Sequence, residues 1–379
     1  ADRPVGQEAK NGVDPDQKVR MIVRLADAPL ASYRGGVPGI MATSPEFTGK
    51  ARLDLASPAS VAYDQYLQQK QAEFVNNLNA ALPGSRVDHS YRVVLNALTV
   101  TVRYGDLQAL RELPDVASVY PEKEYKMDMD ASLPLIGLGT GTVGDVWTDA
   151  GLWDAVGGHA NAGAGIKIAD IDSGITPSNP CFDPTGFTYP AGFPKGETAY
   201  TTEKIIVARA YFRADDPPFL PATPLDDPAD LSGGHGDHTA GTMVCKYGTD
   251  VGYTKISGIA PMAQLMVYRV FYRSVAGSNS AWTPEILAAI EDAVVDGADL
   301  VNNSWGGGNY NSVDDPEVLA FEAAVDAGVV IVFSAGNSGS AAFTIGNPGG
   351  NSEKFITVAN SVTGRIFAND LNVVSPAGA

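Results

Sequence analysis

Cysteine is nearly missing: Cys181 and Cys245 are the only two in 379 residues. That excludes a disulfide-built scaffold and leaves room for one bridge at most. Positive charge is also scarce, with 26 Lys and Arg against 44 Asp and Glu and a net charge of -18. An excess of that sign argues against nucleic acid or an anionic membrane surface as partner. No apolar run approaches the roughly 20 residues needed to cross a bilayer, so no membrane span is expected. The opening Ala1-Asp2-Arg3 has no signal-peptide character. Small-residue starts of this kind are what signal cleavage leaves behind, which predicts an exported protein. No internal repeat is visible. What is present suffices for real cores: 44% of the residues are hydrophobic, and the length allows two or more domains.

The first part reads as a small α/β unit. Val19 to Leu25 alternates like a strand, and a Gly/Pro/Ser-rich stretch from Ala31 to Ser60 reads as a long loop. Tyr63, Tyr66, Leu67, Phe74, Leu78 and Leu82 lie near helical spacing, predicting a helix over 61–82 that Pro83-Gly84 stops. Residues 91–103 read as one strand segment, Asp106 to Leu113 as a short helix opened by an Asp cap, and Val116 to Tyr120 as a strand. The order β-α-β-α-β, with room for one more hairpin strand, suits a ferredoxin-like split βαβ fold.

After a charged segment, Glu122 to Asp130, the texture changes. Ile166 to Ile171 is a near-continuous apolar strand, as a parallel sheet covered on both faces requires. Thr283 to Asp296 and Pro316 to Ala327 read as helices, and Leu300 to Asn303, Val329 to Phe333 and Phe355 to Val358 as strands. This is a doubly wound α/β pattern, in which sites form at the carboxyl ends of the strands. The Pro-, Gly- and Asp-rich stretch 186–230 reads as a surface insertion.

Three motifs sit at those strand ends. Ile171-Asp172-Ser173-Gly174 places a carboxylate where a buried strand gives way to a Gly turn; alone, it is equally a turn-forming Asp. Gly234-His235-Gly236-Asp237-His238 opens a helix; alone, it is equally a metal site or a structural His pair. Ser334-Ala335-Gly336-Asn337-Ser338-Gly339 presents an Asn from a tight turn, and alone such an Asn is usually a turn residue. Taken together and in this order, with Asn302-Asn303-Ser304-Trp305-Gly306-Gly307 between the second and third, they resemble the subtilase family of serine proteases.

The resemblance implies Asp172 as the triad acid, His235 as the general base and Asn337 as the side-chain donor of an oxyanion hole. Ser304, Trp305 and Gly306, with Ser334, Ala335 and Gly336, would be the backbone strips that bind substrate. The physical demands agree. A base of this kind needs a fixed acceptor on its other ring nitrogen, and an amide aimed at the developing oxyanion lowers the barrier. Residues 18–130 resemble the family's inhibitor I9-type propeptide, through Leu95-Asn96-Ala97-Leu98-Thr99-Val100 and Val116-Ala117-Ser118-Val119-Tyr120-Pro121. Its tail, Tyr125, Lys126, Met127 and Asp128, would lie product-like in the cleft, with processing near Asp128 to Ala131. The expected layout is a flexible segment 1–17, the propeptide 18–130, and the front part of a subtilisin-like catalytic domain, 131–379. The implied partners are protein or peptide substrates and the chain's own propeptide, in a secreted or extracellular setting. No cofactor is implied for the chemistry; structural calcium and metal content stay open.

Departures from the family pattern carry information. The Gly-Thr-Ser-Met-Ala-like helix that bears the nucleophile is absent, so this chain is expected not to hydrolyse peptides and to be the front of a longer protein. A non-catalytic binder or inhibitor on the same fold is the alternative. A metal hydrolase built on His235 and His238 lacks a third ligand in any matching motif. Asp170 stands where the family usually has an apolar residue, on the same strand face as Asp172. It is expected either to raise a carboxyl pKa by like charge or to reach solvent or a cation. Asp237 replaces a usual Ser or Thr and is expected to be tolerated in the first helical turn. Cys181 and Cys245 fall where the family fold brings two ends together, implying a disulfide, with two buried thiols as the alternative. His89 and His159 read as incidental surface or cap residues, and Asp215 to Asp230 as solvated loop carboxylates.

Overall fold

The computed structural model describes residues 14–122, 124–127, 139–140, 148–149, 152–226, 234–252, 255–307, 314–339 and 344–359. The first layer is built on β1 (Lys18–Leu25), α1 (Pro58–Ala81), β2 (Arg86–Tyr91), β3 (Ala97–Arg103), α2 (Leu107–Arg111) and β4 (Val116–Pro121), with a short helical turn at Pro45–Thr48. The sheet is antiparallel in the order β2-β3-β1-β4, the split βαβ arrangement expected. Alternation decides the faces. Met21, Val23, Leu25, Leu98, Val100 and Val102 pack under Phe74, Leu78 and Leu110 of the two helices. The opposite face, with Ile22, Tyr91 and Ala97, joins a second cluster that includes Ile286 and Ile290.

The expected single strand over 91–103 is two strands. Residues 92–96 turn between β2 and β3, and β2 supplies the extra hairpin strand. β5 (Glu124–Met127) follows, and then the larger unit. Among its strands are β6 (Lys167–Asp172), β7 (Lys195–Gly196), β8 (Ile205–Ala210), β9 (Gln264–Arg269), β10 (Tyr272–Arg273), β11 (Asn279–Trp282), β12 (Leu300–Asn303), β13 (Trp305–Gly306), β14 (Val330–Ser334) and β15 (Ile356–Val358). The helices α3 (His235–Val244), α4 (Thr283–Asp296) and α5 (Pro316–Asp326) alternate with them.

Seven of these strands form one parallel sheet, ordered β15-β14-β12-β6-β9-β8-β7. The chain builds β8 and β9 on one side of β6, then crosses to build β12 and β14 on the other. The carboxyl end of β6 is therefore the topological switch point, where open α/β sheets form their crevice. Contrary to expectation, 186–230 is not a surface insertion: Ile205, Ile206, Val207 and Ala208 are fully buried in β8. Their six-residue strand is flanked by Pro-, Gly- and Asp-rich loops, which dominate the composition of the stretch. β9 passed unread as well, although all six of its residues are buried. Among the described residues, no helix is long and apolar enough to cross a membrane.

Candidate active site

β6 delivers Asp172 at its last position, 1% exposed. The backbone there is anchored because the Asp172 carbonyl accepts the amides of Val270 (2.9 Å) and Phe271 (3.2 Å). The carboxylate is anchored too, with Oδ1 accepting the Ser173 amide at 2.6 Å. That same oxygen meets His235 Nδ1 at 2.7 Å. A neutral ring donating from Nδ1 carries its basic lone pair on Nε2, the tautomer a general base needs.

His235 is positioned by its helix. Gly234 precedes α3 with φ +89°, and Gly236 lets the helix press onto the turn after β6. A Cβ at Gly236 would stand 2.1 Å from the Gly174 carbonyl oxygen, so only glycine fits. Side chains lock the approach. Ser173 Oγ accepts the Gly236 amide (2.9 Å) and donates to Asp226 (3.2 Å), which in turn accepts the Gly234 amide. Asp237 accepts the Thr176 amide at 2.7 Å, so this unusual residue fastens the turn to the helix. Cys181 and Cys245 form a disulfide with Cα atoms 4.2 Å apart, tying the turn Pro180–Phe182 to the residue that ends α3.

Asp170 does not reach solvent. It is 3% exposed, with Oδ2 accepting the Thr239 hydroxyl (2.7 Å) and Oδ1 the Asn302 amide (2.9 Å). Burial first, then the neighbouring Asp172 charge, push its carboxyl up to about 7.

The strips lie at the ends of neighbouring strands. β12 pairs with β6, and Ser304 to Gly306 follow it; β14 pairs with β12, and Ser334 to Asn337 close it. β5 lies between β11 and β13 in an antiparallel sheet ordered β10-β11-β5-β13. Tyr125 pairs with Ala281, Lys126 with Gly306 and Met127 with Trp305. Asp128 and the expected processing site fall outside the described residues. The strip at Asn279–Trp282 was not read from the sequence, because a short polar strand without a distinctive motif leaves no signal. Ser334 ends β14 and Ala335 follows it, its amide donating to Val358 O (2.8 Å). Asn337 is exposed in the turn after β14, where Gly336 has φ +81°.

Asn347 also escaped the sequence reading. It is fully buried, its amide donates to the carbonyls of Trp305 (2.9 Å) and Ser334 (2.7 Å), and its oxygen accepts the Gly349 amide (3.0 Å). One side chain thus holds both strips. His89, expected to be incidental, stands 3.8 Å from Glu285 between the two layers, and His159 stacks on Tyr247 at 3.6 Å. Among the described residues, no group of three or more His, Cys, Asp or Glu side chains gathers to hold a metal ion.

Residues 163–372 match the subtilase family of S8 peptidases, and residues 51–128 match peptidase inhibitor I9. The chain is 30% identical over 375 residues to subtilisin-like protease SBT2.6 of Arabidopsis thaliana, covering 93% of this chain and 43% of that protein. It is 29% identical over 307 residues to minor extracellular protease Vpr of Bacillus subtilis, covering 76% of this chain and 32% of that protein. The chain therefore spans less than half the length of these curated relatives. Among solved structures it is similar to fervidolysin from Fervidobacterium pennivorans, a keratinolytic enzyme related to subtilisin, with TM-score 0.50 and 18% identity. That likeness covers 86% of this chain and 41% of the other, and concerns the fold.

Proposed function

The chain belongs to the subtilase family, and from that premise we propose that it is the front part of a secreted serine endopeptidase zymogen, inhibited by its own I9-type segment. The observation that carries the reading is the placement of β5. A strand from the I9 end of the chain is hydrogen-bonded between β11 and β13, as a bound peptide would be. That strip follows β12, which pairs with β6, and the end of β6 bears Asp172, hydrogen-bonded to His235 on α3.

In this reading the I9-type unit spans 18–130 and the protease portion 131–379. His235 takes the proton from an attacking serine and returns it to the leaving amine, while Asp172 holds the ring and stabilises the imidazolium. Asn337 offers its amide to the tetrahedral oxygen. The serine itself is expected in a Gly-Thr-Ser-Met-Ala-like helix absent from these residues, so this chain alone should not cleave peptides. No cofactor takes part, and the Cys181–Cys245 bridge suits an oxidising, extracellular destination.

A fluorophosphonate probe tests the proposal. A protein extended through the downstream coding sequence should be labelled and should hydrolyse casein, and the 379-residue chain should do neither. The His235→Ala variant of the extended protein should lose both. Full casein hydrolysis by that variant would overturn the reading.

A further inference from the structure

Asp170 has no part in the mechanism just described, yet it is buried and bonded on both carboxyl oxygens. Its partners come from two different elements. Thr239 stands one turn along α3 from His235, and Asn302 stands on β12, next to the strip. The Asn302 amide divides between Asp170 (2.9 Å) and Ser304 Oγ (3.0 Å), and Ser304 directly precedes Trp305. A continuous polar line therefore runs from the helix of the base, through Asp170, to the strand that pairs with β5.

We propose that Asp170 is a positioning residue that fastens the His235 helix and the Trp305–Gly306 strip to one strand, and that it takes up or loses a proton without releasing either. The inference rests on the reading of Asp172 and His235 as the acid–base pair. The proton exchange follows from the hydroxyl in the line. With Asp170 ionised, Oδ2 accepts the Thr239 O–H and Oδ1 accepts the Asn302 N–H. With Oδ2 protonated, that O–H donates to Thr239 Oγ. The Thr239 hydrogen then turns to the carbonyl of Gly236 (3.1 Å) or His235 (3.2 Å), both already within reach. Oδ1 keeps Asn302. No heavy atom has to move, and every donor retains an acceptor.

The titratable groups that face the carboxyl are Asp172 on its own strand and His235 on α3. β12 contributes the neutral Asn302, and β9 sets Val267 in register with Asp170. Burial and Asp172 push the carboxyl up to about 7, which places the proton exchange in the neutral range. Asp170 thus adjusts the charge beside the base while the base stays where it is.

Two variants separate charge from fastening. Asp170→Asn reproduces the protonated arrangement, with its oxygen on Asn302 and its amide on Thr239. Asp170→Val removes both contacts. The linkage sign follows from a folded-state pKa raised above the unfolded one: the folded chain holds the extra proton between roughly pH 4 and 7, and stability at this site falls as pH rises through that window. Thermal unfolding of the 379-residue chain at pH 5 and pH 8.5 is the measurement. Relative to the parent, Asp170→Asn should be somewhat more stable at pH 5, where part of the window is already crossed, and should gain roughly a further 2–5 °C at pH 8.5. Asp170→Val should be less stable than Asp170→Asn at both pH values. An Asn-minus-parent difference that is equal at the two pH values would overturn the proton exchange, and a Val variant as stable as Asn would overturn the fastening. In the extended protein, Asp170→Asn should shift the acidic limb of the kcat/KM profile and leave KM unchanged. An unmoved limb would count against the proposal. Because the unfolding measurement needs no activity, it stands even where the protease reading fails.

Discussion

Replacing Glu291 with Ala should detach the I9-type layer from the subtilase-family unit far more than its single side chain suggests. Glu291 lies on α4, and its carboxylate accepts three consecutive backbone amides of the other layer. These are Arg92 and Val93 on Oε1, both at 2.8 Å, and Val94 on Oε2 at 2.9 Å. Residues 92–96 form the turn between β2 and β3, so their amides have no strand partner to fall back on. A hydrogen bond to a charged group is worth about 1.5–3 kcal/mol, and truncation leaves the partners unpaired. Burial pushes the Glu291 carboxyl up to about 7, so above roughly pH 8, where it is ionised, a total loss of about 3 kcal/mol is expected, roughly a hundredfold in the docking equilibrium. Glu291→Gln keeps one carbonyl oxygen and should lose about half of that. Amide hydrogen exchange of the chain reads the result directly. Protection at Arg92, Val93 and Val94 should fall about a hundredfold in the Ala variant, while Val301 in β12 stays protected. Unchanged exchange at those three amides would refute the claim that the carboxylate holds the layers together.

Removing the disulfide as the Cys181→Ala and Cys245→Ala pair frees a sequence separation of 64 residues. Loop-closure entropy sets the cost at about 4 kcal/mol, read as a lowered urea midpoint. Gly236→Ala should disrupt the approach of α3 to the Gly174 carbonyl, and the His235 ring resonance in NMR spectra should report loss of its Asp172 hydrogen bond. In the extended protein, Asp172→Asn should lower kcat by about 10⁴-fold with a small change in KM. Asn347→Ala leaves the Trp305 and Ser334 carbonyls without their donor, at about 1–3 kcal/mol. Peptide cleavage should then show a raised KM and at least a tenfold drop in kcat/KM.

Particular residues show where the sequence sufficed. The helix Thr283–Asp296 and the strand Leu300–Asn303 fall on the residues expected, because long apolar periods and a Gly stop act locally. Asp172 and His235 were legible because each belongs to a short motif whose glycines serve a backbone need at that spot. β8 was illegible because its IIVA core sits inside a loop-rich stretch, and local composition averages over both.

Chain order and local chemistry therefore marked the two family-like parts, many of their elements, and Asp172 and His235 as the candidate acid and base. The tertiary structure alone decided what lies opposite what: Asp170 between Thr239 and Asn302, Asn347 between Trp305 and Ser334, Glu291 beneath residues 92–94, and β5 between β11 and β13. Each of these joins residues far apart in the chain, through hydrogen bonds whose partners are chosen by sheet order and helix docking. A side chain's neighbours along the chain carry no record of such partners.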